Sequence, residues 1–137
     1  GLGRCPGGRR GALNSAGLTP DDVDTIQAAA NGGKNPDRIE ADACLNLFGS
    51  KTAILAISSV KGALGESFSS GGIRAAALAL SIKEGKVPPT LGLIDPLAPL
   101  FFATPEFRNM DIRAGLLNAV SYGGTNVSIV MRKLSDM

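Results

Sequence analysis

Histidine is absent from this chain, and so is tryptophan. Without an imidazole, no ordinary side chain exchanges a proton near neutrality, which excludes a histidine general base, a serine–histidine pair and a histidine-liganded metal. Aromatic bulk is limited to five Phe and one Tyr, so a core has to be assembled from Ala, Leu, Ile and Val. Cysteine is scarce as well. Cys5 lies in a Gly-rich terminus and Cys44 inside an amphipathic stretch, a pairing that suits neither a disulfide nor a metal and fits a reducing compartment. No apolar run approaches the ~20 residues needed to span a bilayer, and the first residues, GLGRCPGGRRG, lack the apolar core of a signal peptide. A cytoplasmic protein with no membrane contact is expected. The net charge of +2 is too small to imply a nucleic-acid partner. The one basic cluster, Arg4, Arg9 and Arg10, reads as a solvated, flexible tail over residues 1–11.

What remains is a chain of 137 residues, 44% hydrophobic with eighteen Gly, enough for one domain with a real core. Small apolar residues and glycine favour close packing of helices on a sheet, an α/β layered arrangement. Residues 12–137 carry the ordered part. Ala12–Gly17 reads as the last turns of a helix, and Val23–Ala29 as a strand broken by Asn31-Gly32-Gly33. Asp37–Phe48 sets Ile39, Ala43, Leu47 and Phe48 on one helical face, with Gly49 as its stop. Ala53–Ser58 is a continuous apolar run and predicts a buried strand. Gly71–Glu84 places Ile73, Ala76, Ala77, Leu80 and Ile82 around most of its circumference, which predicts a helix buried on more than one side. Leu116–Ser121 and Asn126–Lys133 predict two strands joined at Gly123-Gly124. The second alternates Val127, Ile129 and Met131 with polar residues, the pattern of a half-buried antiparallel edge.

The stretch Ser58–Gly72, SSVKGALGESFSSGG, followed by an apolar helix and Val87-Pro88-Pro89-Thr90, resembles the lysine-bearing loop of the β-ketoacyl synthases, the condensing enzymes of fatty-acid and polyketide synthesis. Their loop reads Ser-Ser-x-Lys-x-x-x-Gly-His. Lys61 matches the lysine, and Glu66 stands in the place of the histidine. Val23–Ala28 is similar to the strand that leads into the family's His-Gly-Thr motif, where this chain has Asn31-Gly32-Gly33. Asp37 and Glu40 keep the family's Asp-x-x-Glu spacing if the preceding loop is two residues shorter. Asn118–Asn126, NAVSYGGTN, is similar to the family's Asn-Ser-Phe-Gly-Phe-Gly-Gly-x-Asn hairpin, with Tyr122, Gly123 and Gly124 at its acyl-pocket gate. The resemblance runs from about Leu13 to Leu134, and covers about the last third of a complete member. It implies half of a thiolase-like fold: a mixed sheet of about four or five strands packed with helices.

Decarboxylative condensation needs a cysteine thiolate to carry the acyl chain and hydrogen-bond donors for the enolate left when carbon dioxide departs. The resemblance puts the family's two histidine donors at Asn31 and Glu66 and leaves only Lys61 retained among the active-site positions. Asn31 can offer an amide N–H, or serve simply as a turn residue before Gly32. An ionised Glu66 cannot donate and opposes an enolate; a salt bridge with Lys61 or Arg74 is its expected role, and that lowers its pKa. Arg74 falls where the family has a glutamate against the lysine, so Glu66 and Arg74 form a candidate compensated pair, with two unrelated charges as the alternative. Asp37, Glu40 and Arg74 are expected to form a supporting polar network. Cys44, inside a helix, reads as a small core residue. No metal or cofactor is implied, and the P-loop and Gly-x-Gly-x-x-Gly spacings are missing.

The implied function is the C-terminal domain of a β-ketoacyl synthase family protein without condensing activity, in the manner of chain-length factors, with an acyl carrier protein or a partner ketosynthase as parent-protein partners. The alternatives are a divergent active acyltransferase completed by an N-terminal half, and a truncated product with no activity. A homodimer is expected, because the Gly71–Glu84 helix leaves an apolar face that needs covering.

Overall fold

The computed structural model describes residues 6–66, 70–100, 102, 106–121 and 123–134. Along the chain lie α1 (Pro6–Ala16), a 3-10 turn at Pro20–Asp22, β1 (Thr25–Gln27), α2 (Lys34–Phe48) and a second 3-10 turn at Gly49–Ala53. Then come β2 (Ala56–Ser58), α3 (Lys61–Leu64), α4 (Gly71–Glu84), β3 (Lys86–Val87), β4 (Arg108–Asn109), β5 (Ala114–Val120) and β6 (Asn126–Arg132).

Four strands form a mixed sheet in the order β2-β1-β5-β6, and β3 pairs with β4 in a separate ribbon. β1 is parallel to both neighbours, with Ile26 opposite Ile57 on one side and Leu116 on the other. β6 returns antiparallel to β5, with Leu116 opposite Val130 and Leu117 opposite Ile129. Because strand side chains alternate between faces, the apolar residues divide into two cores. Ile26, Ile57 and Leu116 meet Leu13 of α1 and Cys44, Leu47 and Phe48 of α2. Ala56 and Leu117 meet Leu78 and Ile82 of α4 on the opposite face. Leu78 can come down on β5 only because residue 115 is glycine: a Cβ there would lie 2.5 Å from Leu78 Cδ1. The result is a three-layer arrangement, α1 and α2 on one face and α4 on the other.

Several expectations are corrected by these coordinates. Residues 6–11, expected in a flexible tail, belong to α1, and Arg9 is buried at 3% exposure. The helical repeat explains it: Arg9 is one turn before Leu13 and so shares its inward face. Arg10 remains exposed, and Arg4 lies outside the described residues. α2 begins at Lys34, three residues early, since Pro36 falls in the first turn, where its missing N–H is no loss. α4 has the predicted bounds but buries one face only, through Arg74, Leu78, Ser81 and Ile82. Ile73 and Leu80 are each 58% exposed. β6 is the expected half-buried antiparallel edge: Val127 and Ile129 are 49% and 42% exposed, Met131 of the same row packs on the α4-side core, and Val130 packs on the α1 and α2 side. The Val127, Ile129 and Met131 row lies on the same side of the sheet as α4, which covers it only partly.

Candidate functional site

The three parallel strands end at the same edge of the sheet, and the segments leaving them hold most of the singled-out residues. Asn31 follows β1, Lys61 and Glu66 follow β2, and Gly123 and Gly124 follow β5. In open α/β sheets this carboxyl edge is where loops converge on a ligand. The exits are stitched together. The Ala28 N–H donates to the Ser58 carbonyl at 2.8 Å, and the Ser59 hydroxyl donates to the Ala30 carbonyl at 2.6 Å.

The β1 exit is clamped by α2. Asp37, in the first turn, accepts the backbone N–H of Asn31 at 3.1 Å and of Gly32 at 2.9 Å, while Asn31 Oδ1 accepts the Gly33 N–H at 3.0 Å. With those amides occupied, the loop presents the Asn31 side-chain NH2 as its donor. One turn further along, buried Glu40 accepts three bonds at Oε1: from the Ala29 N–H at 3.0 Å, Asn118 Nδ2 at 3.0 Å and Arg9 Nη2 at 3.3 Å. A buried carboxylate needs such donors to stay in place.

The β2 exit carries Lys61 into the short helix α3. The segment from Pro88 to Leu91 braces it: the Ser58 hydroxyl donates to the Pro88 carbonyl at 2.7 Å and the Ser59 N–H donates to Thr90 Oγ1 at 3.1 Å. Gly62 is required by this brace, because a Cβ there would stand 2.1 Å from the Leu91 carbonyl oxygen. Lys61 Nζ lies 2.9 Å from Glu66 Oε2, its side chain 10% exposed against 44% for the glutamate. The Lys61 hydrogen bond, with a smaller contribution from Asn31, holds the Glu66 carboxyl below its ordinary range.

Arg74 and Glu66, the candidate compensated pair, find separate partners. From the inward face of α4 the Arg74 Nη2 group donates to the carbonyls of Ala28 at 2.7 Å, Gln27 at 3.3 Å and Asn118. It thereby ties the ends of β1 and β5 together from beneath. Burial pushes its pKa down, while Glu40 and Glu66 act in the opposite sense.

Asn31, Asp37, Lys61 and Glu66 line one cavity of about 520 Å3, together with the apolar side chains of Ile57 and Leu97. Cys44 also reaches its wall, and burial pushes that thiol up to about 12, with Arg9 opposing and Glu40 adding to the rise. It is therefore a protonated core residue and not a nucleophile at neutral pH. Gly123 and Gly124, with φ of 89° and 84°, form the turn between β5 and β6 and do not line the cavity. Tyr122 lies outside the described residues. Among the described residues no cluster suits a metal ion, and no helix is long and apolar enough to cross a membrane.

Three participants went unnoticed in the sequence. Arg9 was signalled by its helical spacing from Leu13. Thr90 was visible as part of Val-Pro-Pro-Thr, but its hydroxyl bond to Ser59 is a tertiary contact. Asn118 opens the hairpin motif, yet its bond to the Ser128 hydroxyl at 3.1 Å depends on strand register and its bond to Glu40 on the packing of α2 against the sheet.

The family profile for the β-ketoacyl synthase C-terminal domain matches residues 8–93. The 3-oxoacyl-(acyl-carrier-protein) synthase 2 of Staphylococcus aureus (strain COL) is 35% identical over 125 residues, covering 89% of this chain and 30% of that protein. Its counterpart in Coxiella burnetii (strain RSA 493 / Nine Mile phase I) is 32% identical over 130 residues, covering 93% and 31%. The chain thus spans about a third of the length of these relatives. Among solved structures, the ishigamide ketosynthase/chain length factor superposes with a TM-score of 0.88 at 28% identity, over 95% of this chain and 32% of that one. A type II polyketide synthase acyl carrier protein in complex with its ketosynthase bound to the hexaketide gives 0.88 at 26%, over 98% and 33%.

Proposed function

Because this chain belongs to the β-ketoacyl synthase family and carries its C-terminal domain, we propose that it acts as a non-condensing member, supporting a ketosynthase in the manner of a chain-length factor. One observation carries this reading: the site has no imidazole, and the position of one family histidine holds a carboxylate paired to Lys61 at 2.9 Å. Loss of carbon dioxide from a malonyl thioester leaves an enolate, which requires neutral or positive donors at its oxygen. Glu66 adds negative charge there, and Asn31 alone offers a neutral amide. Cys44, protonated and buried, offers no thiolate to hold an acyl chain. Asn31, Lys61 and Glu66 therefore persist as a shaped pocket wall, with Asp37, Glu40 and Arg74 as its scaffold. The test is direct. Incubated with malonyl-loaded acyl carrier protein, the chain should release no carbon dioxide above the carrier protein alone; release would refute the reading.

Its partners follow from the same reading. An acyl carrier protein and a ketosynthase are the partners proposed for the parent protein. For this chain alone a second copy is proposed on the outer face of α4, where Ile73 and Leu80 are 58% exposed on the same side of the sheet as Val127 and Ile129. An apolar surface of this kind favours association, and closed two-fold pairing is the commonest form. Light scattering should give twice 14.0 kDa, and Ala77→Asp, on the rim of that face, should return the mass to a single copy. An unchanged mass in the variant counts against this placement.

A further inference from the structure

Lys61 and Glu66 differ in how firmly each is held. Lys61 is 90% shielded and emerges from a helix pinned by the contact between Gly62 and the Leu91 carbonyl. Glu66 is 44% exposed and approaches from the solvent side, after α3 has ended. The cation is thus a shielded feature of the cavity wall, and the carboxylate reaches it from the more exposed side. Asn31 is fixed too, through its backbone N–H and that of Gly32, both donated to Asp37, and through its side-chain Oδ1, which accepts the Gly33 N–H. With Oδ1 so engaged, its NH2 is left to donate; it lines the same cavity as Glu66 and helps hold that carboxyl below its ordinary range. One rigid ammonium bonds the carboxylate at 2.9 Å, and one rigid amide shares with them a cavity of about 520 Å3.

We infer that Lys61 and Asn31 form a carboxylate-binding subsite and that Glu66 is its built-in occupant, a tethered anion that keeps the subsite closed to carboxylate-bearing ligands. Resting on the family reading above, the inference names the substrate class of that site: uncharged acyl groups are admitted to the cavity, and malonyl-type groups, which carry a free carboxylate, are turned away. A tethered group competes at the high effective concentration that a short connection imposes. Charge-assisted bonds from ammonium to carboxylate are the strong kind, so a free dicarboxylate has to displace one to enter. Removing the tethered group leaves both donors in place and facing the cavity.

The probe is malonate, titrated into 15N-labelled chain while the Asn31 side-chain amide signals are followed by NMR. In Glu66→Ala the signals should shift saturably, with an apparent Kd at least tenfold below that of the unmodified chain. Glu66→Gln, which keeps the size and removes the charge, should behave like Glu66→Ala and guards against a fold defect in the smaller variant. The double variant Lys61→Met, Glu66→Ala should lose the response. Equal affinity in the unmodified chain and both single variants overturns the inference, as does a response that survives loss of Lys61. The titration needs no turnover, so it can fail while the chain remains inactive toward malonyl carrier protein, and the two readings are tested apart.

Discussion

Replacing Gly62 by alanine tests the brace that holds Lys61. The added methyl carbon would stand 2.1 Å from the Leu91 carbonyl oxygen and 3.0 Å from its carbonyl carbon. Both are backbone atoms, so no side-chain rotation relieves the clash, and the Thr90–Leu91 segment must retreat by about 0.9 Å to reach even a 3.0 Å separation. Overpacking of this kind costs about 1–3 kcal/mol. Retreat also stretches the Ser59–Thr90 hydrogen bond from its 3.1 Å, a further loss of about 1 kcal/mol. Alanine recovers up to about 1 kcal/mol of helix propensity in α3. The net destabilisation is roughly 1–3 kcal/mol, which for a domain of this size lowers Tm by roughly 3–5 °C per kcal/mol. Gly72→Ala is the matched comparison, since nothing lies within 4 Å of a Cβ there, and it should be neutral or stabilising. Urea unfolding by circular dichroism measures both. A Gly62→Ala midpoint equal to or above the parent's, with Gly72→Ala unremarkable, would mean that Leu91 does not sit over Gly62 in solution and that Lys61 is not pinned.

The remaining predictions concern titrating groups. In a Cys5→Ser background, Cys44 should resist iodoacetamide at pH 8 until the chain is unfolded; prompt modification of the native chain would contradict its burial. Because its pKa rises from 9.0 to about 12 on folding, the unfolded state alone ionises between those values, and stability should fall by about 1.4 kcal/mol per pH unit from that one group as pH rises above 9. Glu66 has the opposite sense: its folded pKa is depressed, so its stabilising contribution is complete above its ordinary value of 4.5 and disappears as pH falls through the lower folded value. A 13C titration of its carboxyl should give a midpoint below 4.5 that moves upward in Lys61→Met, and an unmoved midpoint would show that Lys61 is not the cause.

The chain's periodicities announce the sheet and its helices well, because the relevant patterns are local. Ile26, Ile57 and Leu116 lie in short apolar runs bounded by breakers, and Gly71–Glu84 was legible to the residue since Gly85 stops it in a left-handed turn. Burial was less legible where it depends on what lies opposite. Ile73, Leu80, Val127 and Ile129 look like core from their spacing, yet within this chain they face the open side of the sheet. Arg9 errs the other way: a basic residue in a Gly-rich run looks solvated until Glu40 arrives from 31 positions away. At the site, the meeting of Asn31, Lys61 and Glu66 followed from motif order, whereas the Thr90 bond to Ser59 and the Asn118 bonds to Glu40 and Ser128 join separate segments and could not be read from any one of them.

The charges at Glu66 and Arg74 are accommodated separately, so the site keeps its shape with each in place. Read from the resemblance, an acid in place of a base and a base in place of an acid invite the idea of one swapped pair. The coordinates give each its own compensation. Glu66 takes over the lysine that the family's glutamate would contact, and its exposed position keeps the desolvation cost of that pair low. Arg74, deprived of a carboxylate at bonding distance, is held by main-chain carbonyls at the ends of β1 and β5. Those carbonyls exist whatever side chains the strands carry, so a guanidinium at position 74 needs no second substitution to be accommodated. Its donors bond buried main-chain carbonyls on both strands, and hydrogen bonds from a charged group are of the stronger kind. The two changes can therefore arise in either order, each leaving a folded chain behind it. A methionine at 74 should then weaken the joint between β1 and β5 while leaving the Lys61–Glu66 contact intact, an independence that a swapped pair would not allow.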